Sequence, residues 1–179
     1  FRYFGHKNVC VLDGGFQAWI AAGYLLESGQ QSYSKSEFRV RVHTDRLALK
    51  TDVQATISSL TPKVKLVDAL SPEYYAGKAG NIYGYARLGH IKGAINFPSE
   101  SVLAEDLQSF RSTSEISALA KQQLGAKDTP VITYCGGGIA ATQLAFALEH
   151  AGYSNMKVYS GSLQEWSADP YLPMETGTK

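Results

Sequence analysis

Two stretches of this chain carry the same pattern. Gly5-His-Lys-Asn-Val-Cys-Val-Leu-Asp-Gly-Gly-Phe-Gln-Ala-Trp19 aligns without a gap on Gly152-Tyr-Ser-Asn-Met-Lys-Val-Tyr-Ser-Gly-Ser-Leu-Gln-Glu-Trp166. The leading glycines, Asn8/Asn155, Val11/Val158, Gly14/Gly161, Gln17/Gln164 and Trp19/Trp166 coincide. The offset is 147 residues, the length of one ordinary domain. A repeat of that period implies the end of one domain followed by a whole second copy. Residues 1–23 are then the remnant of a first domain, 24–45 a linker, and 46–179 a complete domain. In each copy the pattern predicts a short strand, a glycine turn, and a short helix with Phe16 or Leu163 and the Trp on its inner face. Cys10 falls within the first of these strands, where a thiol is an inert core residue.

The second copy is preceded by the stretch with the most chemistry. Val131-Ile-Thr-Tyr134 is a β-branched run that predicts a buried strand. It ends on Cys135. Gly136, Gly137 and Gly138 follow, then a helical pattern with Ile139, Leu144, Ala147 and Leu148 on one face. Glycines let a backbone turn its N–H groups inward into an anion-binding nest. The helix adds about half a positive charge at its N-terminus. A thiol so placed is expected to ionise below its usual ~8.5.

The remaining segments alternate between the two periods. Thr51 to Leu60 predicts a helix capped by Thr51 or Asp52, with Val53, Ile57 and Leu60 inward. Val64 to Val67 predicts a strand ending at Asp68, and Ser71-Pro72 the start of a short helix. Residues 78–87 read as a loop, Ala94 to Phe97 as a strand, and Ser101 to Gln108 and Ser114 to Leu124 as helices, the second stopped by Gly125. The alternation in Phe38-Arg-Val-Arg-Val42 predicts an extended stretch laid against the second domain. Strands alternating with helices indicate an α/β fold with a doubly wound parallel sheet and helices on both faces. Ligands of such sheets bind beyond the carboxyl ends of the strands, where Cys135 is delivered.

The bulk properties narrow the function. A formal charge of +1 gives no footing for a nucleic-acid partner, and no apolar run nears the ~18 residues of a membrane span. Two cysteines form no disulfide framework, which fits a reducing, cytoplasmic compartment, although a Cys10–Cys135 pairing stays open. Four scattered histidines give no metal-ligand spacing.

Taken together, these motifs resemble the rhodanese-type sulfurtransferases of the tandem-domain kind. Arg87-Leu-Gly-His-Ile-Lys-Gly-Ala-Ile-Asn-Phe-Pro98 is similar to the family's Gly-His-Ile-x-Gly-Ala signature. Leu66-Val-Asp68 is similar to its early strand, the two repeat copies to its closing motif, and Cys135 to Ala141 to its active-site loop. The resemblance implies a sulfane sulfur passed from thiosulfate or 3-mercaptopyruvate to cyanide or a thiol. It would travel as a persulfide on Cys135, with no cofactor and no metal. Backbone amides of Gly136, Gly137, Gly138, Ile139, Ala140 and Ala141 would hold the persulfide and donor, with Arg87 gripping the donor anion. Asp68 and His90 would be structural residues beside the site. The absent first domain would be a partner. The loop of cysteine phosphatases on this fold ends in an arginine where this chain has Ala141, so a phosphoryl group would lack its bidentate partner. A non-catalytic rhodanese module serving protein interaction is the alternative. With no charge on the loop and a single arginine in reach, the expected donor preference is for 3-mercaptopyruvate.

Overall fold

The computed structural model describes residues 1–61, 63–80 and 83–178. Its centre is a four-stranded parallel sheet. The strands are β1 (Lys65–Asp68), β3 (Ile95–Asn96), β4 (Val131–Tyr134) and β5 (Met156–Val158), in the order β3-β1-β4-β5. β1 and β4 run in register, Leu66 opposite Ile132 and Asp68 opposite Tyr134. Leu47 adds a parallel bridge to Val158 at the free edge. All four residues of β4 are buried, as an inner strand covered on both faces requires. A separate antiparallel pair joins β2 (His90–Ile91) to β6 (Met174–Glu175), so the C-terminal tail is stitched to the middle of the chain.

Among the described residues six α-helices lie between and around the strands: α1 (Gly15–Ala21), α2 (Lys50–Ser58), α3 (Pro72–Tyr75), α4 (Thr113–Leu124), α5 (Ile139–His150) and α6 (Ser162–Trp166). α4 opens on a capping box: Ser112 Oγ accepts from the Glu115 N–H and the Glu115 carboxylate accepts from the Ser112 N–H. α2 begins at Lys50 because Asp52 reaches back to the Leu49 N–H at 2.8 Å. It ends at Ser58, which leaves Leu60 exposed rather than inward. Val53, Leu144, Leu148, Leu163 and Trp166 form part of one core cluster with the sheet.

Four further expectations are corrected. Residues 9–12 form no strand, and Cys10 is exposed rather than a core thiol. The repeat explains why. β5 finds β4 to pair with, while the equivalent stretch near the N-terminus has no neighbouring strand, and a strand is made by its neighbours. The helix pattern, whose hydrogen bonds are internal, survives in both copies. Its cover does not: Trp166 is 0% exposed and Trp19 38%. Secondly, residues 38–42 are exposed and form no strand. Their end is tied to the first segment instead, with Arg41 N–H on Phe4 O and His43 N–H on Tyr3 O. Thirdly, 101–108 is not a helix. A 3-10 turn (Ser99–Val102) is followed by a turn in which the Asp106 carboxylate accepts from Gln108 N–H, Ser109 N–H and Ser109 Oγ. Aspartate competes with helical hydrogen bonding in this way. Lastly, Ile139 starts α5 but points to solvent, 86% exposed. Among the described residues no helix is long and apolar enough to cross a membrane.

Candidate active site

Cys135 leaves the carboxyl end of β4 and is held there by the second repeat. Its N–H donates to Ser162 Oγ at 3.1 Å, and its carbonyl accepts from the Leu163 N–H at 3.0 Å. The Gly136 carbonyl accepts from the Gln164 N–H at 2.9 Å. Ser162 hands its own proton to the Tyr159 carbonyl at 2.9 Å and takes a positive φ of 51° to do so. The start of α6 therefore acts as a clamp on the cysteine loop. Both cysteines are free thiols, which closes the question of a pairing between them.

The loop then turns the chain into α5. Gly138 has a φ of +95°, and a Cβ there would lie 2.9 Å from the Ser160 carbonyl. That conformation aims its N–H at the sulfur: Gly138 N–H donates to Cys135 Sγ at 3.0 Å. The first helical bond of α5 runs from Thr142 N–H to the Gly138 carbonyl. The N–H groups of Ile139, Ala140 and Ala141 precede it and have no acceptor within the helix. A helix N-terminus thus faces a cysteine sulfur at the edge of a parallel sheet. The side chains of the loop add no charge: Ile139 points outward, Ala140 is half-buried, and Ala141 packs inward with its carbonyl on Thr133 Oγ1. Gly136 and Gly137 are bare because other groups occupy the space. Tyr83 sits against the first and the Gln164 amide against the second.

This geometry can be compared with known proteins. Residues 51–169 match the rhodanese-like domain family. The chain belongs to the rhodanese-like family. Within it, a putative thiosulfate sulfurtransferase SseB of Mycobacterium tuberculosis is 36% identical over 174 residues, 97% of this chain and 60% of that protein. A 3-mercaptopyruvate sulfurtransferase of Escherichia coli K12 is 29% identical over 97% of this chain and 60% of that one. The chain thus spans about 60% of the length of these relatives. The wild-type structure of EanB superposes with a TM-score of 0.85 over 99% of this chain and 43% of that one, at 24% identity, which shows the rhodanese fold.

The other residues singled out in the rhodanese-like signature have definite places. Arg87 is a correction. Its guanidinium donates to three main-chain carbonyls, Ser167 at 3.0 Å through Nε, Leu172 at 2.9 Å and Asp169 at 2.7 Å. It pins the turn after α6 instead of reaching for a donor anion. Each of the three guanidinium nitrogens is thus engaged by a main-chain carbonyl. Arg87→Ala should therefore act on stability, lowering it by about 2 kcal/mol as these bonds to a charged group are lost. Thermal unfolding would show it, with little change in donor KM.

His90 is buried. Its Nδ1 lies 2.8 Å from the Tyr75 carbonyl, its ring stacks on Tyr75 at 3.7 Å, and Nε2 is 3.7 Å from Glu175. These contacts fasten α3 and β6 to the signature segment. Asp68 is fully buried at the end of β1, with Oδ1 accepting from the Leu70 N–H at 2.9 Å. Its Oδ2 makes no hydrogen bond of standard geometry, although the Tyr134 hydroxyl is near enough to act on its charge. Burial raises its pKa to about 7 against the pull of the Leu70 amide and the Tyr134 hydroxyl. Sequence reasoning missed Tyr83, Ser162 and Gln164. Gln164 matched Gln17 in the repeat, and Ser162 stands where the first copy has Gly15, but nothing in the sequence alone aims either at the cysteine.

Proposed function

We propose that this chain is a sulfurtransferase. It moves a sulfane sulfur from thiosulfate or 3-mercaptopyruvate to cyanide or a thiol through a persulfide on Cys135. The observation that carries the reading is the Gly138 N–H on Cys135 Sγ at 3.0 Å, at the start of α5. A sulfur so placed has a backbone N–H aimed at it from the turn that opens a helix. The relatives named as thiosulfate and 3-mercaptopyruvate sulfurtransferases support the same chemistry.

The reaction divides into two displacements. The Cys135 thiolate attacks the outer sulfur of the donor. A new S–S bond forms, the donor's own bond to that sulfur breaks, and sulfite or the enolate of pyruvate leaves with the electron pair. An acceptor then attacks the outer sulfur of the persulfide, and the Cys135 thiolate departs with its electrons restored. Negative charge sits on or next to the outer sulfur throughout. The amides of residues 136–141 are the donors available to it, as in an oxyanion hole. With Arg87 engaged elsewhere, the donor anion relies on these amides, and the ground for favouring 3-mercaptopyruvate is removed.

The repeat supports a domain arrangement of the same kind. We read residues 46–179 as one complete rhodanese-like domain, 24–45 as a linker, and 1–23 as the end of a first domain of the same family. The uncovered Phe16 and Trp19 are the counterparts of the buried Leu163 and Trp166.

The test uses a Cys10→Ser background, because Cys10 is an exposed thiol that would confuse the assignment. Protein incubated with either donor should gain the mass of one sulfur atom, mapped to Cys135, and cyanide should remove it as thiocyanate. Absence of the adduct with both donors would overturn the reading in favour of a non-catalytic module.

A further inference from the structure

The Cys135 sulfur is buried, and an aromatic side chain lies against the residue that follows it. Cys135 is 2% exposed and Tyr83 42%. A Cβ on Gly136 would lie 3.0 Å from Tyr83 Cβ and 3.1 Å from its Cγ, so the Tyr83 side chain is seated on the backbone immediately after the cysteine. Its placement is fixed from α6. Gln164 Nε2 donates to the Tyr83 carbonyl at 2.9 Å, while the Gln164 N–H donates to the Gly136 carbonyl at 2.9 Å. Behind it the Tyr74 ring lies 5.3 Å away, tilted by 58°.

Burial first, and then the charges of Tyr74, Cys135 and Glu100, hold the Tyr83 proton more firmly. The loop carries no charged side chain, and the arginine expected there is bound to carbonyls. A group entering beside the sulfur over Gly136 therefore meets the Tyr83 ring, with Tyr74 behind it. Flat aromatic surfaces are complementary to such a wall.

We propose that Tyr83, backed by Tyr74, selects the sulfur acceptor: the Cys135 persulfide discharges preferentially to thiols with a flat aromatic body. This rests on the sulfurtransferase reading above. The acceptor thiolate bonds to the outer sulfur, the Sγ–S bond breaks with its electron pair left on Cys135, and the acceptor becomes a persulfide. The exchange needs no oxidant or reductant.

The experiment loads the Cys10→Ser protein with sulfur from thiosulfate and confirms one sulfur per chain by mass. Discharge is then timed with thiophenol and with 2-mercaptoethanol, an uncharged aliphatic thiol. The ratio of the two rate constants is compared among the parent, Tyr83→Ala and Tyr83→Phe. Intrinsic differences between the acceptors cancel in that comparison. The ratio should fall about fivefold toward the aliphatic thiol in Tyr83→Ala and stay within about twofold of the parent in Tyr83→Phe. An unchanged ratio in Tyr83→Ala, including equal slowing with both acceptors, would overturn the proposal. So would an equal fall in Tyr83→Phe, which would assign the effect to the hydroxyl. A parent protein that takes up no sulfur would instead refute the sulfurtransferase reading, and this inference with it.

Discussion

Cys135→Ser is expected to abolish sulfur transfer, by on the order of a thousandfold or more, with either donor. The loss follows from the nucleophile. A serine hydroxyl ionises far above neutral pH and cannot carry a sulfane sulfur through two displacements, whereas a thiolate does both. The fold should not suffer. The clamp on residue 135 is made through its main chain, to Ser162 Oγ and from the Leu163 N–H, and serine keeps both bonds. Serine Oγ can also accept the Gly138 N–H that now points at Sγ. The change in stability should stay within about 1 kcal/mol, the value of one ordinary hydrogen bond. A thiocyanate assay and a thermal melt on the same sample check the two halves. Residual transfer above a tenth of the parent rate would show that another group carries the sulfur. A collapsed melt would show that the thiol also supports the core.

The comparison of sequence with structure follows where each signal resides. The strand–cysteine–glycine–helix unit was legible because all its determinants are local: a β-branched run, residues that accept positive φ, and a helical period. Gly138 at φ +95° is what such a segment needs to turn an amide onto the sulfur. The strand at 9–12 was misread because a strand is completed by its neighbour, and the sequence pattern does not say whether one is there. The segment 101–108 was misread because three hydrogen bonds to one aspartate, Asp106, outcompete a weak helical period. Arg87 was misread for a third reason. Its neighbourhood in the signature suggested a ligand, but its partners are carbonyls 80 to 85 residues away, which only the folded chain brings close. The same distance hid Gln164 from Tyr83, 81 residues apart.

Asp68 gives the largest expected effect on stability. It is a carboxyl with no solvent contact and no ion pair among those the described residues form. Its Leu70 N–H and the Tyr134 hydroxyl do not offset the cost of burying a charge, so its folded pKa rises from 3.8 to about 7. The folded state therefore holds this proton more tightly than the unfolded chain does. Stability from this group is fully present below about pH 4, declines as the pH rises, and is gone once the pH has passed about 7. A shift of about three pH units corresponds to about 4 kcal/mol across that window, as an upper bound. Asp106 and Glu115 work in the opposite sense, since hydrogen bonds depress their pKa values, but their contributions are lost only as the pH falls through the acid range. Asp68→Asn isolates the buried carboxyl. Asparagine keeps an oxygen for the Leu70 N–H and has no charge to bury, so the variant should match the parent near pH 4 and exceed it in stability at pH 8. Denaturant unfolding of both proteins at pH 4, 6 and 8 would measure it, and subtracting the two curves removes every other titrating group. A difference that does not grow between pH 4 and 8 would mean that the Asp68 carboxyl stays ionised in the fold. Tyr134, beside it in register and next to Cys135 in the chain, would then be packed against a fixed negative charge one residue from the reactive sulfur.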